Sequence, residues 1–408
     1  MPARDWMFSH AGVPFLLMIA AAAIAAPPGT AQPPITNLSE LVVTAERQPA
    51  GSLLSAEALD LSSAATLTAT DTAGLLRHLP GVAIVRNGPQ TGIVQLHGLS
   101  GDRVRIAVDG MAITPACPNH MDPPLHYLAP GSVDSLRVMA GISPVSAGGD
   151  SIAGSVSVES PASRFADGAD WFTSARLATA YRGSNDSFGM EAGSSIANAT
   201  ASASYQGAWT SADDLRFPGG RVSDTGYHTQ SHRIMLGHKV GQGVLAIDAG
   251  LLRTGDSGTP ALPMDMIEDD GCNLGARFNS SCDFGTWSAR VYYHHIDHLM
   301  DNFSMRPLVA GAMPMFSPAT SDDIGGNLNL SVERHDHTLR IGSDFHTNRF
   351  DARQQNASTG MLQDTLHEVT RSRLGAYLEV ESRWTNRWST QAGLRSDIVL
   401  SRAAALDH

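Results

Sequence analysis

The sequence is poor in charge and has few long apolar stretches. Charged residues make up only 17% of the 408 residues, and the net charge is −12. No basic stripe is visible, which excludes nucleic acid as a partner. Beyond residue 30 no run of 18 apolar residues occurs, so we expect no membrane-spanning helix there.

Cysteine is scarce, and no side chains with catalytic spacing stand out. The three cysteines are Cys117, Cys272 and Cys282. Cys117 stands alone, whereas Cys272 and Cys282 either form a loop disulfide in an oxidising compartment or remain free thiols. Neither a Ser/His/Asp set nor a pair of carboxylates is evident, so the sequence does not predict an enzyme.

The N-terminus has the pattern of a secretory signal. Val13 to Ala26 is an apolar run of signal-peptide length, and Gly29-Thr30-Ala31 offers a cleavage point before Gln32. We therefore assign residues 1–31 to a signal peptide, with an N-terminal membrane anchor as the alternative.

A polar leader, residues 32–52, follows this signal. It contains one short apolar, β-branched segment, which consists of Leu41, Val42, Val43, Thr44 and Ala45. An extended segment on a flexible leader is typical of recognition by strand addition, in which backbone hydrogen bonds supply the affinity.

Residues 53–162 have the pattern of one compact α+β domain. Asp71 to Leu79 predicts a short amphipathic helix, capped by Asp71 or Thr72 and stopped by Pro80-Gly81. A turn is predicted at Asp109-Gly110. Strands are predicted at 82–86, 92–97, 103–108 and 152–158, with a further strand or helix–strand element at 132–139.

Residues 163–408 change to long strand-like runs separated by Gly, Asn and Asp turns. We count about eleven, several of them longer than ordinary globular strands. Long alternating strands with polar loops favour a transmembrane antiparallel β-barrel, although the aromatic content of 6% is lean for interfacial girdles. A soluble β-sandwich or propeller is the alternative. The runs lie near 170–182, 186–196, 199–211, 226–240, 243–255, 271–278, 284–303, 322–335, 336–350, 366–383 and 386–402.

These segments together resemble the TonB-dependent receptors. The motifs are LLRHLPGV (75–82), VQLHGLSGDRVRIAVDGM (94–111) and VDSLRVMAGISPVSAGGDSIAGSVSVESP (133–161). The family usually carries Ile-Arg-Gly where this chain has Leu96-His97-Gly98. The resemblance spans roughly residues 40–403. It implies an outer-membrane protein with a plug domain and a barrel, and it identifies residues 41–45 as a TonB box that pairs with the TonB energy-coupling complex.

The family implies a 22-stranded barrel with a plugged lumen, and only about half of those strands are counted here. The chain also ends in Ala-Ala-Ala-Leu-Asp-His, without the terminal aromatic residue that family members usually carry. An open half-barrel would expose an unpaired strand edge to lipid. We therefore expect a fragment or a truncated gene, and a complete receptor that is a monomer in outer-membrane lipid.

The segment Cys117-Pro118-Asn119-His120-Met121 carries the most informative chemistry. Thiolate and thioether ligands favour Cu(I), and imidazole also suits copper. An incidental Cys and Met in a loop is the alternative for this segment alone.

The predicted strand at 284–303 supplies a second half of the pattern. Its odd positions, such as Trp287 and Val291, form an apolar series, and its even positions, such as Arg290, form a mostly polar one. With a period of two, the odd series faces lipid and the even series faces the lumen. His298 and Met300 continue the even series and therefore point inward.

The combination of CPNHM with HLMDN resembles the copper-binding branch of the family. That resemblance implies that Cys117, Met121, His298 and Met300 are the metal ligands, with Cu(I) favoured. His120 and His126 are then neighbours or gate residues. Weaker candidates for passing copper onward are the methionine pair Met264 and Met266 and an extracellular funnel of Met305, Met313 and Met315, with packing in the barrel wall or the loops as the alternative.

Copper binding and import is therefore the predicted function. A receptor for a siderophore or a cobalamin-type cargo is the first alternative, and it would need a pocket lined by aromatic and Arg side chains. A nonfunctional truncated remnant, or an interaction protein without a barrel, is the second.

Overall fold

A computed structural model describes residues 57–58, 66, 68–149, 151–385 and 387–404. The predicted signal peptide and the predicted TonB box at 41–45 lie outside the described residues. Among the residues that are described, no helix is long and apolar enough to cross a membrane.

The plug region contains a four-stranded sheet, a separate hairpin and short 3₁₀ helices. The strands are β1 (Glu57–Ala58), β2 (Val82–Arg86), β3 (Gly92–Leu96), β4 (Val104–Val108), β5 (Ser135–Ala140) and β6 (Gly154–Glu159). The sheet has the order β1-β5-β6-β4, in which only β4 and β6 are parallel, while β2 pairs with β3. The 3₁₀ helices are Thr72–Leu76, Gly101–Arg103, Pro124–Tyr127, Pro130–Ser132 and Val145–Ala147.

The predicted plug strands are confirmed to within two residues at each end, except that the element predicted at 132–139 is resolved into a short 3₁₀ helix and β5. The predicted α-helix at 71–79 is wrong in type and length, because only a 3₁₀ helix at Thr72–Leu76 forms. Its cap is confirmed, since the Asp71 carboxylate accepts a hydrogen bond from the Gly74 amide at 2.9 Å. Gly74, inside the segment, and Pro80-Gly81 after it disfavour a longer helix.

Beyond the plug, eleven antiparallel strands form one sheet among the described residues. Neighbours in sequence are neighbours in the sheet, except that a small two-stranded hairpin at residues 215–222 is inserted between two of them. The strands are β7 (Phe172–Arg182), β8 (Ser187–Ala197), β9 (Ala201–Ala212), β10 (Leu215–Phe217), β11 (Gly220–Val222), β12 (Tyr227–Val240), β13 (Gly243–Ser257), β14 (Asp265–Cys282), β15 (Gly285–Asp301), β16 (Met315–Arg334), β17 (His337–Asn356), β18 (Leu362–Arg383) and β19 (Ser389–Arg402).

The two faces of this sheet differ in chemistry. Its outer face exposes large apolar side chains along nearly every strand, as expected for a surface in contact with lipid. Examples are Leu251, Leu274, Val291, Ile324 and Leu374, each more than half exposed. The inner face is polar and packs against the plug. The predicted alternation of strand 284–303 is therefore confirmed.

The two ends of the sheet also differ. At one end the strands are joined by short turns, at 198–200, 241–242, 283–284 and 335–336. At the other end lie the three longest connections, 213–226, 258–264 and 302–314, together with the shorter 183–186 and 357–361. Transmembrane barrels have short periplasmic turns and long extracellular loops, so the second end corresponds to the extracellular side.

A disulfide between Cys272 and Cys282 is ruled out by this topology. Both cysteines lie on the single strand β14, ten residues apart, which places them about 33 Å from each other in extended chain. A disulfide requires Cα atoms within about 7 Å. The two thiols are free, as is that of Cys117.

Candidate metal site between the plug and the sheet

The Cys117–Met121 segment is a tight loop of the plug. The amide of His120 donates to the carbonyl of Cys117 at 3.0 Å, and Pro118 occupies the second position of this turn, which proline favours. His120 has a φ of 54°, a left-handed conformation that redirects the chain. As a result Met121 returns to the side of the loop on which Cys117 lies, and both side chains are buried.

Asp122 closes this loop from within. Its carboxylate accepts the amide of Ala116 at 2.6 Å and the amide of Cys117 at 3.0 Å. Asp122 is itself fully buried, so these bonds are not exchanged with water. The carboxylate thereby holds the backbone from which the Cys117 thiol projects.

His298 and Met300 come from the sheet. Both lie on β15 with their side chains on the inner face, two residues apart, and both are buried. The outward-facing residues between and beside them, Leu299 and Asp297, are more exposed. The strand therefore presents an imidazole and a thioether together to the plug loop.

The plug loop and β15 meet in a buried cluster of sulfur atoms. The Cys117 Sγ lies 3.9 Å from the Met300 Sδ. Two sulfurs that share one metal ion at about 2.3 Å with a tetrahedral angle lie roughly 3.8 Å apart. The cluster comprises Cys117, Met121, Met264, Met266 and Met300, with Leu262 and Met315 packed against it.

His298 is oriented toward this cluster by a carboxylate. Its Nδ1 lies 3.0 Å from the Oδ1 of Asp269, and both side chains have no exposed surface. Its Nε2 is buried and makes no hydrogen bond. The Cys117 thiol is among the groups that act on this ring. A buried imidazole nitrogen that has no oxygen or nitrogen partner, and that faces a thiol lying 3.9 Å from a thioether, fits a metal ligand, so the residues present suit a soft metal ion.

A β-bulge in β14 places Asp269 opposite His298. Met266 pairs with Met300, and Asp269 pairs with His298, but the register shifts by one residue between Met266 and Glu268. An extra residue reverses the alternation of the strand beyond it. Because of this shift, Met266 and Asp269 both face inward although one number is even and the other odd.

A hydrogen-bonded network lies directly beneath the sulfur cluster. The Tyr127 hydroxyl is 2.8 Å from Asp122 and 3.2 Å from Asp269, and the second oxygen of Asp269 is 3.3 Å from the Nε2 of His126. His126 also contacts the Thr254 hydroxyl at 3.1 Å. The network thus joins the plug loop to β13 and β14.

Burial and charge act together on the plug groups of this network. Burial raises the pKa of Asp122, and the neighbouring Asp269 carboxylate raises it further. Burial and both carboxylates raise the pKa of the Tyr127 hydroxyl well above its usual value. Burial opposes the protonation of His126, but its hydrogen bond and charge interaction with Asp269 outweigh this and raise its pKa.

Asp122, Asp269 and His298 offer three ligand atoms within 4.8 Å of one another, which raises the question of a second type of metal site. Most of these carboxylate oxygens are already engaged, however. Asp122 accepts from two backbone amides and Tyr127, and the Oδ1 of Asp269 accepts from His298 and Tyr127, while its Oδ2 lies 3.3 Å from the Nε2 of His126. Their geometry is that of supports for the ligands rather than of ligands.

The remaining residues singled out by the sequence separate into two groups. Met264 and Met266 lie in the sulfur cluster, and Met315 packs against it. Met305 and Met313 are not members of the cluster. The ring of His120 lies beside Gly101, and His126 reaches the site only through Asp269. Sequence reasoning missed Asp122, Tyr127 and Asp269.

Hydrogen bonds join two of the long loops, 258–264 and 302–314. Arg306, in the 302–314 loop, donates to the Asp265 carboxylate through Nε at 2.6 Å and again through Nη2. It also donates to the carbonyls of Leu262 at 2.9 Å and Thr259 at 3.1 Å. These two residues belong to the 258–264 connection, which carries Met264.

Comparisons with known proteins agree with the fold. The profile of the TonB-dependent Receptor Plug Domain matches residues 53–155. A solved structure described as copper transporter OprC is similar with a TM-score of 0.76 and 25% identity over 85% of this chain and 55% of that one. No curated protein sequence matches significantly.

Siderophore receptors share the fold at lower identity. The ferric enterobactin receptor PfeA of Pseudomonas aeruginosa aligns with a TM-score of 0.61 and 13% identity over 81% of this chain and 55% of that one. The siderophore receptor PirA of Acinetobacter baumannii aligns with a TM-score of 0.63 and 13% identity over 85% and 57%. The chain therefore spans just over half the length of each of these structures.

Proposed function

We propose that this chain, a member of the TonB-dependent receptor family, binds copper between its plug and its sheet and takes part in copper import. The family consists of outer-membrane receptors and transporters, not of enzymes, and the outer membrane is the location of this chain. The metal would be its cargo, held by Cys117, Met121, His298 and Met300.

The observation that carries the proposal is the meeting of soft donors from two separate parts of the chain. Cys117 and Met300 are 183 residues apart in sequence, yet their sulfurs lie 3.9 Å apart in a buried cluster. The Nε2 of His298, on the side of the Cys117 thiol, supplies a nitrogen donor at the same place. A single thiolate with two thioethers and one imidazole favours Cu(I), because thioethers are poor ligands for harder ions.

A siderophore or cobalamin-type cargo is less well supported. Such a ligand would need a pocket lined by aromatic and arginine side chains, whereas the site among the described residues is lined by sulfur and is fully packed. The copper transporter structure is also more similar to this chain than the two siderophore receptors are, in both sequence identity and TM-score.

Three further methionines extend the proposed site toward the extracellular side. Met264 and Met266 lie in the cluster, and Met315 lies against it. Flexible thioethers adapt to a moving soft ion. We assign these residues to the transfer of copper into the site, and we assign the energy for import to the TonB complex acting on residues 41–45.

The proposal is tested by the metal content of the protein purified from outer membranes in detergent. The single variants Cys117→Ala, His298→Ala, Met121→Ala and Met300→Ala are loaded with Cu(I) or with zinc and then dialysed. Met305→Ala, a methionine outside the cluster, is the matched control.

We expect Cys117→Ala to lose the most copper affinity, because it removes the only anionic donor. His298→Ala should follow, then the two cluster methionines, and the control should bind like the wild type. If Cys117→Ala retains stoichiometric copper, or if zinc fills the site of the wild type equally well, the copper proposal is wrong.

A further inference from the structure

We propose that Asp269 and Tyr127 are positioning residues that set the geometry between the plug-borne and the sheet-borne metal ligands. Neither would bind the metal itself. This inference rests on the proposed function, since it assigns a role in the same site.

The first step concerns the tautomer of His298. A neutral imidazole carries its proton on one nitrogen only, and the hydrogen bond at that nitrogen decides which one. Asp269 accepts from Nδ1 at 3.0 Å, which leaves Nε2 as the unprotonated nitrogen on the side of the Cys117 thiol. Carboxylates that hold ligand histidines in this way usually strengthen metal binding 10- to 100-fold.

The second step concerns the plug loop. Asp122 holds the amides of Ala116 and Cys117, and so fixes the backbone from which the thiol projects. Asp122 therefore does for the plug half of the site what Asp269 does for the sheet half. Each carboxylate fixes one ligand, but neither alone fixes the distance between them.

Tyr127 connects the two carboxylates. Its hydroxyl lies 2.8 Å from Asp122 and 3.2 Å from Asp269, and it has one proton to share between them. The ring of Tyr127 packs edge-on against His294 of β15, with ring centroids 4.9 Å apart, so the hydroxyl is itself held in place. A single side chain of the plug thus fixes the distance between the Asp122 carboxylate of the plug and the Asp269 carboxylate of the sheet.

Burial makes this arrangement rigid. Asp122, Asp269 and His298 are all at most 2% exposed, so water does not compete for their hydrogen bonds. In such a site an incompletely satisfied polar group is costly, and the network has few alternative arrangements. The consequence is a site whose donors are in place before the metal arrives.

The test uses Tyr127→Phe and Asp269→Asn, each with a matched control. Tyr293→Phe also removes a tyrosine hydroxyl that is bonded to an aspartate, at 2.7 Å from Asp322, but on the outer face of β15. Asp270→Asn changes the neighbouring, outward-facing carboxylate of β14. Three quantities are measured: the Cu(I) dissociation constant by chelator competition, the nitrogen and sulfur coordination by X-ray absorption, and the melting temperature of the metal-free protein.

We expect Asp269→Asn to weaken copper binding 10- to 100-fold and to reduce the imidazole contribution in the absorption spectrum. Tyr127→Phe, which removes a single oxygen atom, should weaken binding about tenfold. Metal-free Asp269→Asn should also melt lower than its control, because it removes the charge of a fully buried, paired carboxylate. Metal-free Tyr127→Phe should melt close to its control, and both controls should bind copper like the wild type. Should Asp269→Asn fail to fold, Tyr127→Phe alone decides the matter.

The inference is wrong if both variants bind copper with wild-type affinity and coordination while Cys117→Ala loses the metal. It is also wrong if affinity falls only in step with the melting temperature of the metal-free protein, because that is the behaviour of a purely structural residue. Copper retained by Cys117→Ala would instead overturn the proposed function itself.

Discussion

Removal of Arg306 should accelerate the release of copper without abolishing its binding. The Arg306 side chain is mostly buried, at 18% exposure, and the Asp265 side chain is almost fully buried at 1%. Arg306 makes a two-pronged bond to that carboxylate and two more bonds to the carbonyls of the 258–264 connection. Among the described residues, every hydrogen bond between the 302–314 loop and the 258–265 segment, which carries Met264, comes from this one side chain.

The expected size of the effect follows from these contacts. Removal of one partner of a fully buried ion pair costs about 3–5 kcal/mol, and the partial exposure of Arg306 reduces this to roughly 2–3 kcal/mol. With about 1.4 kcal/mol for each factor of ten, opening of the two loops becomes about 30- to 150-fold easier. Copper should leave and enter faster by a similar factor, so the dissociation constant changes little.

The assay is the transfer of Cu(I) from the loaded protein to a chromophoric chelator, followed in time. Arg306→Lys keeps the charge but not the planar fork, and it should give an intermediate rate. Arg349→Ala, which removes an exposed arginine paired with the exposed Glu368, is the control. If Arg306→Ala releases copper at the wild-type rate, these loops do not limit access to the site.

Three further predictions address other parts of the chain. Val43→Pro should abolish uptake in whole cells and leave copper binding unchanged, because proline removes a backbone donor needed for strand pairing; normal uptake would show that residues 41–45 are not the coupling segment. Burial alone would raise the pKa of Asp109, but Arg233, the two bonds from Ser160 and Arg290 outweigh it and lower the pKa. The stability that Asp109 contributes is therefore complete above the unfolded-state pKa near 3.8 and is lost as the pH falls below it. Asp109→Asn should lower the melting temperature at pH 7 by an amount equivalent to about 3 kcal/mol, and the difference between variant and wild type should be smaller at pH 3. A difference in melting temperature that does not depend on pH would contradict this. All three cysteines should react with an alkylating reagent in denaturant without reductant, and alkylation of fewer than three would contradict the placement of Cys272 and Cys282 on one strand.

Much of the fold could be predicted from the alternation of residue types. The count of long strands agrees with the structure, and so does the inward direction of His298 and Met300. The ends of some strands were predicted less well: β14 begins at Asp265 and β16 at Met315, six and seven residues before the predicted starts. These extensions are rich in polar and methionine residues, because they pass beyond the apolar band, and so they carry no lipid-facing pattern.

The supporting residues of the site could not be predicted in the same way. Since Met266 faces inward, strict alternation along the strand would place Asp269, three residues later, on the outer face. The bulge between Met266 and Glu268 reverses this, and nothing in the run Met-Ile-Glu-Asp-Asp marks the extra residue. Tyr127 was missed for another reason: it lies outside the Cys-Met motif, and its partner is 142 residues away in sequence.

The division of the ligands between two bodies has a thermodynamic consequence. Two of the proposed donors belong to the plug and two to the sheet, so a bound ion would act as a cross-link between them. Linkage is reciprocal: whatever free energy the docked plug adds to copper binding, bound copper must add to plug docking. A loaded receptor would therefore resist a pull on its plug more strongly than an empty one, and a pull that succeeds would open the coordination sphere in the same movement.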